Sequence, residues 1–215
     1  THPNFGYDYT AIGNGLVLET KNWPNSDMEM MKATVSGYIQ NYLQTGTNFH
    51  TYYMTVSGHC RYNQQGNAQT KKNWSLVEDL PYSDGVKAYI ACNLELEMAL
   101  ASMVKQLEDA GIADDTVIVM APDHYPYGLG TSWGLKKDGL AELYGVEKYD
   151  LFQRDKNTLI IWSGCLEDMD IVVDDPVSAL DILPTLSNLF GLEYDSRLLV
   201  GRDAFSDSEP LVFWP

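Results

Sequence analysis

Asp123-His124 is the pair in this sequence whose residue types and setting best fit chemistry. A hard carboxylate oxygen stands beside an imidazole nitrogen, a mixed donor set that suits Mn²⁺, Zn²⁺ or Fe²⁺ and suits Ca²⁺ less well. The pair follows Asp115 to Met120 (DTVIVM), a short apolar run bounded by turn residues that predicts a strand buried on both faces. In open α/β sheets, ligands bind outside the carboxyl ends of strands. His59 shares that setting, because Ser57-Gly58-His59 follows Phe49 to Val56 (FHTYYMTV), a β-branched and aromatic run without a helical stripe. An imidazole so placed binds an anionic group or moves a proton near neutral pH. By residue type alone, Asp123 is equally a turn-capping carboxylate and His59 a satisfied loop histidine; it is the strand-end placement that favours chemistry. Two side chains do not hold a metal, so further ligands are expected elsewhere.

Other reactive types carry less. Thr55, Ser57, Ser163 and Cys165 are nucleophiles by type, but none lies in a Gly-x-Ser-x-Gly elbow. His2 and His50 lack a strand-end setting. Asp84, Glu95 and Glu97 are expected on solvated helix surface, and Tyr52, Tyr53, Trp162 and Phe190 in the core. Cys60, Cys92 and Cys165 lie far apart, an odd and sparse set that is neither a disulfide framework nor a zinc site. They are expected to be small buried or half-buried side chains, with Cys60 beside the site.

The elements that must position these residues follow from periodicity. Residues 1–25 are rich in Tyr, Asn and Gly without a period and predict an irregular lead-in. Ser26-Asp27-Met28-Glu29 is a capping-box pattern that opens a helix to about Leu43. Residues 57–80 are polar and predict a long loop. Val86, Tyr89, Ile90, Leu96, Leu100, Met103, Val104 and Leu107 form one stripe of a helix over about 84–110, closed by Gly111. Residues 121–131 predict a loop and 132–144 a modest helix. Thr158 to Trp162 predicts a second buried strand, and Asp181 a cap for a helix running to Phe190. Helices alternating with strands predict an α/β domain with a mostly parallel sheet.

The 215 residues suffice for one large domain with a real core, and 45% are apolar and 20% charged, ordinary globular values. Lys plus Arg number 14 and Asp plus Glu 30, a net charge of −16. That balance excludes nucleic acid as a natural partner and disfavours direct adhesion to anionic headgroups, since both need clustered cations. No apolar run approaches the roughly 20 residues that span a bilayer. The chain opens on Thr1 and stops in the apolar run Leu211 to Pro215, so both ends are expected to be cut from a longer protein.

Four motifs in order resemble the lipoteichoic acid synthase and phosphoglycerol transferase family, within the alkaline phosphatase–sulfatase superfamily. They are Tyr53-Met54-Thr55-Val56-Ser57-Gly58-His59; Asn93 to Glu97 with Leu107 to Gly111; Asp114 to Tyr125; and Ala179 to Leu186 followed by Leu192 and Gly201-Arg202-Asp203. The resemblance runs from about Trp23 to Phe213. It implies an alkaline phosphatase/sulfatase-like α/β fold, incomplete at both ends, as a single partial catalytic domain over 1–215. It implies that Asp123 and His124 bind a single catalytic Mn²⁺ or Mg²⁺, that His59 binds the substrate phosphate, and that Trp23 falls in the substrate-lining segment. Asp181 to Leu186 match a structural helix start. The family's Thr nucleophile and Glu metal ligand match nothing before His59, so they are expected upstream of this chain.

The activity implied is transfer of phosphoglycerol from a lipid headgroup to a polymer acceptor of the cell envelope through a covalent Thr intermediate. The parent protein would be membrane-anchored, with this part at the extracellular face, and the 215-residue piece alone inactive. A sulfatase or phosphodiesterase on the same scaffold is the alternative, differing in whether water or a polymer hydroxyl is the acceptor. A non-catalytic binding module is the third reading.

Overall fold

The computed structural model describes residues 2–133, 135, 138–166, 169 and 171–212. The chain forms two compact units, residues 1–165 and 166–215, each described by itself. In the first, helix α1 (Asp27–Thr45) begins where the capping pattern places it: Ser26 is the N-cap and its Oγ accepts from the Glu29 N–H at 3.0 Å. The return half of the capping box is absent. Glu29 instead accepts from the Glu19 and Thr20 N–H groups at 2.7 and 2.9 Å, tying the lead-in to the helix.

Helix α3 (Asp84–Asp109) is the long stripe expected from the sequence, and Gly111 closes it at φ +68°. Met31, Val35 and Ile39 of α1 pack against Ala99, Met103 and Leu107 of α3 in one buried cluster. A second cluster joins the first half of α3, through Val86, Ala88 and Cys92, to Cys60, Tyr62, Leu129 and Leu140. It is this second cluster that brings the segments after residues 56 and 120 onto the helix.

The segment expected as a loop over 57–80 contains helix α2 (Ala68–Asn73), capped by the Asn67 side chain on the Thr70 N–H at 2.8 Å. Polar side chains dock it: Thr70 Oγ1 donates to the Ala88 carbonyl at 2.9 Å and Asn73 Nδ2 to the Ala91 carbonyl at 3.1 Å, both on α3. A polar sequence therefore packs as a helix, because its partners are backbone carbonyls rather than apolar side chains.

Glu95 overturns its expected place on solvated surface. Its side chain is fully buried, and it accepts from Lys72 Nζ at 2.8 and 2.9 Å, from Asn73 Nδ2 at 3.3 Å and from Ser26 Oγ. Asp84 and Glu97 are exposed, as expected. Tyr52 and Phe190, expected in the core, are exposed, whereas Tyr53 and Trp162 pack partly buried against the α1–α3 cluster.

The mostly parallel sheet is not what the described residues build. Strands β1 (Ala11–Ile12) and β2 (Gly15–Leu16) form a two-residue parallel ladder, and β3 (Val117–Met120) pairs antiparallel with β4 (Ile160–Ser163). The chain leaves β3 at Met120 and re-enters beside it at Ile160, so it returns from the same end, which dictates the antiparallel sense. Residues of β3 are half-buried rather than enclosed on both faces. Phe49 to Val56 joins no ladder among the described residues. Its contacts go to α1 instead: Phe49 meets the Tyr38 and Tyr42 rings, Tyr53 shares a 2.7 Å hydrogen bond with Thr34, and the Val56 N–H donates to Asp27 at 2.9 Å.

Between β3 and β4 lie α4 (Gly139–Tyr144), shorter than the helix expected over 132–144, and α5 (Leu151–Asp155), which periodicity did not indicate. Of the expected helix, residues 134, 136 and 137 lie outside the described residues. Arg154 closes on the adjacent Asp155 through two bonds of 2.7 Å. In the second unit, α6 (Ile182–Leu189) follows a 3₁₀ turn over Ala179–Asp181. Asp181 stands at the N-cap of α6, as expected, but makes no side-chain cap bond there; Ser178 caps the 3₁₀ turn, and the Asp181 carboxylate accepts from the Ser178 and Arg202 N–H groups, each at 2.7 Å. Arg197 there forks onto Asp195 at 2.7 and 2.8 Å.

Two stability predictions follow from the polar joints. Lys72→Met leaves the buried Glu95 carboxylate without its cation, a loss of about 2–3 kcal/mol by urea denaturation, at or just below the low end for broken buried pairs because Lys72 is half-exposed. A change below about 0.5 kcal/mol, the level of surface substitutions, would show that the pair is not a structural joint. For Glu29, burial pushes the carboxyl up, but hydrogen bonds from Thr20 and Glu19 outweigh it and hold the group below its ordinary 4.5. Its contribution is therefore present above that value and disappears as pH falls through the depressed one. The stability gap between the natural chain and Glu29→Gln should be widest at neutral pH and close in acid. Asp27 runs the other way: burial raises its carboxyl, so its contribution declines as pH rises above 3.8.

Candidate functional site

The turn that presents His59 is fixed from below. Both oxygens of the buried Asp27 carboxylate accept backbone N–H groups, from Val56 at 2.9 Å and Ser57 at 3.0 Å. Ser57 Oγ accepts the Asp27 N–H at 2.9 Å, which closes a reciprocal clamp at the start of α1. Asn67 Nδ2 holds the far side of the turn, donating to the Ser57 carbonyl at 3.1 Å and the His59 carbonyl at 2.7 Å. Gly58 lies so close to α3 that a Cβ there would stand 2.9 Å from Asn93 Oδ1. Ser57 is thus a structural residue whose hydroxyl is engaged and whose side chain is buried, which removes it from the candidate nucleophiles.

His59 itself is exposed. Its Nδ1 is 2.7 Å from the Cys60 carbonyl, and a carbonyl only accepts, so Nδ1 carries the hydrogen and Nε2 is the free edge. The Trp23 ring meets the His59 ring edge-on, 5.3 Å between centroids. An open groove of about 680 Å³ runs beside Trp23, lined by Asn22, Gln64, Gln65 and Lys71 among others.

His124 repeats the arrangement. Its Nδ1 donates to the Tyr125 carbonyl at 2.7 Å, which leaves Nε2 directed at Asp123 Oδ1, 3.4 Å away. A backbone carbonyl on Nδ1 is the usual outer support of an imidazole that ligates through Nε2. The 3.4 Å separation matches the edge between two ligands that each stand about 2.1 Å from one tetrahedral ion. The Asp123–His124 donor set therefore fits two positions of a divalent-metal site. Among the described residues, no group of three or more His, Cys, Asp and Glu side chains is placed to hold a metal.

The loops carrying His59 and His124 touch. Cys60 Sγ donates to Tyr127 Oη at 3.7 Å, and the Tyr127 ring lies 4.7 Å from the His124 ring. Cys60 and Cys92 are buried and Cys165 is exposed, and all three are free thiols. Burial pushes the Cys92 thiol up to about 12, so it is inert as a nucleophile. Cys165 shares a 3.4 Å contact with Ser163. Sequence reasoning missed Asn67 and Tyr127. The Asn67-x-x-Thr70 spacing is a helix N-cap signal that the surrounding polar run concealed. Tyr127 carries no local signal at all, since its role depends on a residue 67 positions earlier.

A family profile described as Sulfatase matches residues 1–192. The chain is 27% identical over 128 residues to "Lipoteichoic acid synthase-like YvgJ" of Bacillus subtilis (strain 168), covering 58% of this chain and 20% of that protein. It is 27% identical over 121 residues to "Lipoteichoic acid synthase" of Staphylococcus saprophyticus subsp. saprophyticus, covering 56% of this chain and 18% of that protein. The chain thus spans about a fifth of the length of these curated relatives. No solved structure matches it significantly. With a profile that covers most of its length, this chain belongs to the sulfatase family.

Proposed function

We propose that the chain is part of a metal-dependent phosphoglycerol transferase, which moves phosphoglycerol from a lipid headgroup to a cell-envelope polymer through a covalent Thr intermediate. Family membership implies an alkaline phosphatase-like α/β fold, and the names of the two relatives support phosphoglycerol transfer in general. The observation that carries the reading is the Asp123–His124 pair, two donors 3.4 Å apart with the imidazole already held in its Nε2-ligating tautomer. A Mn²⁺ or Mg²⁺ bound there supplies Lewis-acid neutralisation of charge that builds on a phosphoryl group.

This chain's own residues do the rest of the binding. Asp123 and His124 hold the metal. His59, with Nδ1 committed to the Cys60 carbonyl, offers Nε2 to a non-bridging phosphate oxygen or to the departing alkoxide. The amide-lined groove beside Trp23 offers donors and acceptors to a hydroxyl-bearing acceptor chain. The nucleophilic Thr and the remaining metal ligand come from outside residues 1–215. Among the described residues no helix is long and apolar enough to cross a membrane, so the anchoring at the extracellular face that this reading assigns to the parent protein also lies outside them. A hydrolase reading shares every one of these residues and differs only in taking water as acceptor; the Sulfatase profile is what favours it.

The experiment uses the parent protein with a phosphoglycerol-headgroup lipid. Asp123→Ala and His124→Ala should each lower glycerol-phosphate transfer by about a hundredfold or more, some 2.7 kcal/mol of transition-state stabilisation. Turnover unaffected by both variants would sink the reading, and product found free rather than on polymer would select the hydrolase. The 215-residue chain alone should bind Mn²⁺ weakly in calorimetric titration, because two protein ligands fall short of the usual three or more. Tight binding abolished by Asp123→Ala would place the missing ligands within residues 1–58.

A further inference from the structure

The loops that present His59 and His124 meet at one point, where the sequence separates them by more than sixty residues. The contact has three parts. Cys60, next in sequence to His59, directs its thiol at Tyr127 Oη, 3.7 Å away. The Tyr127 ring in turn lies against the His124 ring, centroids 4.7 Å apart and planes inclined by 45°. Behind them the Gly128 backbone lies against the Cys60 and Tyr62 side chains: a Cβ on Gly128 would stand 2.7 Å from Cys60 Cβ and 2.8 Å from Tyr62 Cε2. Cys60 and Tyr62 belong to the buried cluster on α3, so this contact is anchored on the helix.

We propose that Cys60 and Tyr62 clasp Tyr127 and Gly128 so that the two loops move as one body, with Tyr127 a positioning residue for both His59 and His124. The proposal rests on the reading of these histidines as one site, but the clasp is a property of this chain's own residues and exists without metal or substrate. Each side of the clasp is short. Cys60 is bonded directly to the His59 residue, whose Nδ1 donates to the Cys60 carbonyl, so a displaced Cys60 turns the imidazole with it. Tyr127 stands three residues after His124 and packs on its ring, so a displaced Tyr127 frees that ring. Tyrosine serves here for two reasons. Its ring supplies the flat surface for His124, and its hydroxyl reaches the thiol of the other loop. Phe keeps the first and removes the second, which makes the two functions separable.

The chain holds four histidines, so a carbon–proton correlation spectrum of protein labelled at the histidine Cε1 contains four ring signals, with His2 and His50 as internal controls. Spectra of the 215-residue chain at one fixed pH are compared for Tyr127→Phe and Cys60→Ala. The informative effects are the crossed ones. Tyr127→Phe should shift the His59 signal by more than its line width, and Cys60→Ala should shift the His124 signal likewise, while His2 and His50 stay in place. The double variant should show less than the sum of the single shifts, because both remove the same contact. Gly128→Ala, which wedges the loops apart, should move His59 and His124 together. A melting temperature within a few degrees of the natural chain separates positioning from general destabilisation. If Tyr127→Phe leaves His59 unmoved and Cys60→Ala leaves His124 unmoved, the clasp is overturned.

A second arm keeps this result apart from the functional reading. Inorganic phosphate is titrated while the His59 signal is followed. In the natural chain the signal should respond saturably, and in Tyr127→Phe the apparent affinity should fall several-fold. Crossed shifts without any response to phosphate would uphold the clasp and remove His59 as the phosphate ligand. A response to phosphate that Tyr127→Phe leaves unchanged, with no crossed shifts, would uphold the ligand and remove the clasp.

Discussion

One buried carboxylate organises the first unit. Glu95 sits within α3 and receives bonds from Lys72 and Asn73 of α2 and from Ser26 at the cap of α1. Three helices are thereby joined at a single residue. A buried charge is tolerated only when its lone pairs are met, and here four donor contacts meet both oxygens. The apolar cluster of Met31, Val35, Met103 and Leu107 packs α1 against α3 farther along both helices. The polar joint ties the cap of α1 and the end of α2 to α3, and with them the segments that hang from these helices.

What hangs there is the His59 turn. Asp27 begins α1 directly after the cap and grips the Val56 and Ser57 amides, while Asn67 caps α2 and grips the Ser57 and His59 carbonyls. The same two residues that start the helices therefore shape the loop. This economy explains why so many polar side chains between residues 25 and 73 are buried: Ser26, Asp27, Ser57, Asn67, Gln69, Thr70 and Asn73 form the frame of a presenting loop rather than a solvated surface.

That frame is also where sequence reading and structure part. Periodic apolar stripes are legible, so α1 and α3 begin and end close to their expected residues, and the DTVIVM and TLIIW runs do become paired strands. Strand-end placement drew notice to His59, Asp123 and His124; the loops that carry them do meet through Cys60 and Tyr127, although the segment before His59 joins no ladder among the described residues. Polarity, by contrast, says only that a group needs partners, not whether water or protein provides them. Glu95 reads as solvated on that ground and is buried, and the 57–80 segment reads as a loop and contains α2. Phe49 to Val56 has the composition of a strand, yet a ladder also requires a neighbour, which no single segment encodes. The sense of a sheet is likewise a property of the return path, visible only once Ile160 is seen beside Met120.

The guanidinium groups show a last feature of this chain. Arg154 and Arg197 each close on a carboxylate one or two residues away, Asp155 and Asp195, through paired short bonds. Cations so neutralised add nothing to the far field, and the formal charge of −16 then acts on approaching solutes with little local relief. Diffusing anions meet a barrier instead of a funnel. Their encounter rate rises as added salt shortens the Debye length, the reverse of the salt dependence of a steered enzyme. Discrimination among anions is thereby left to short-range bonds made after contact.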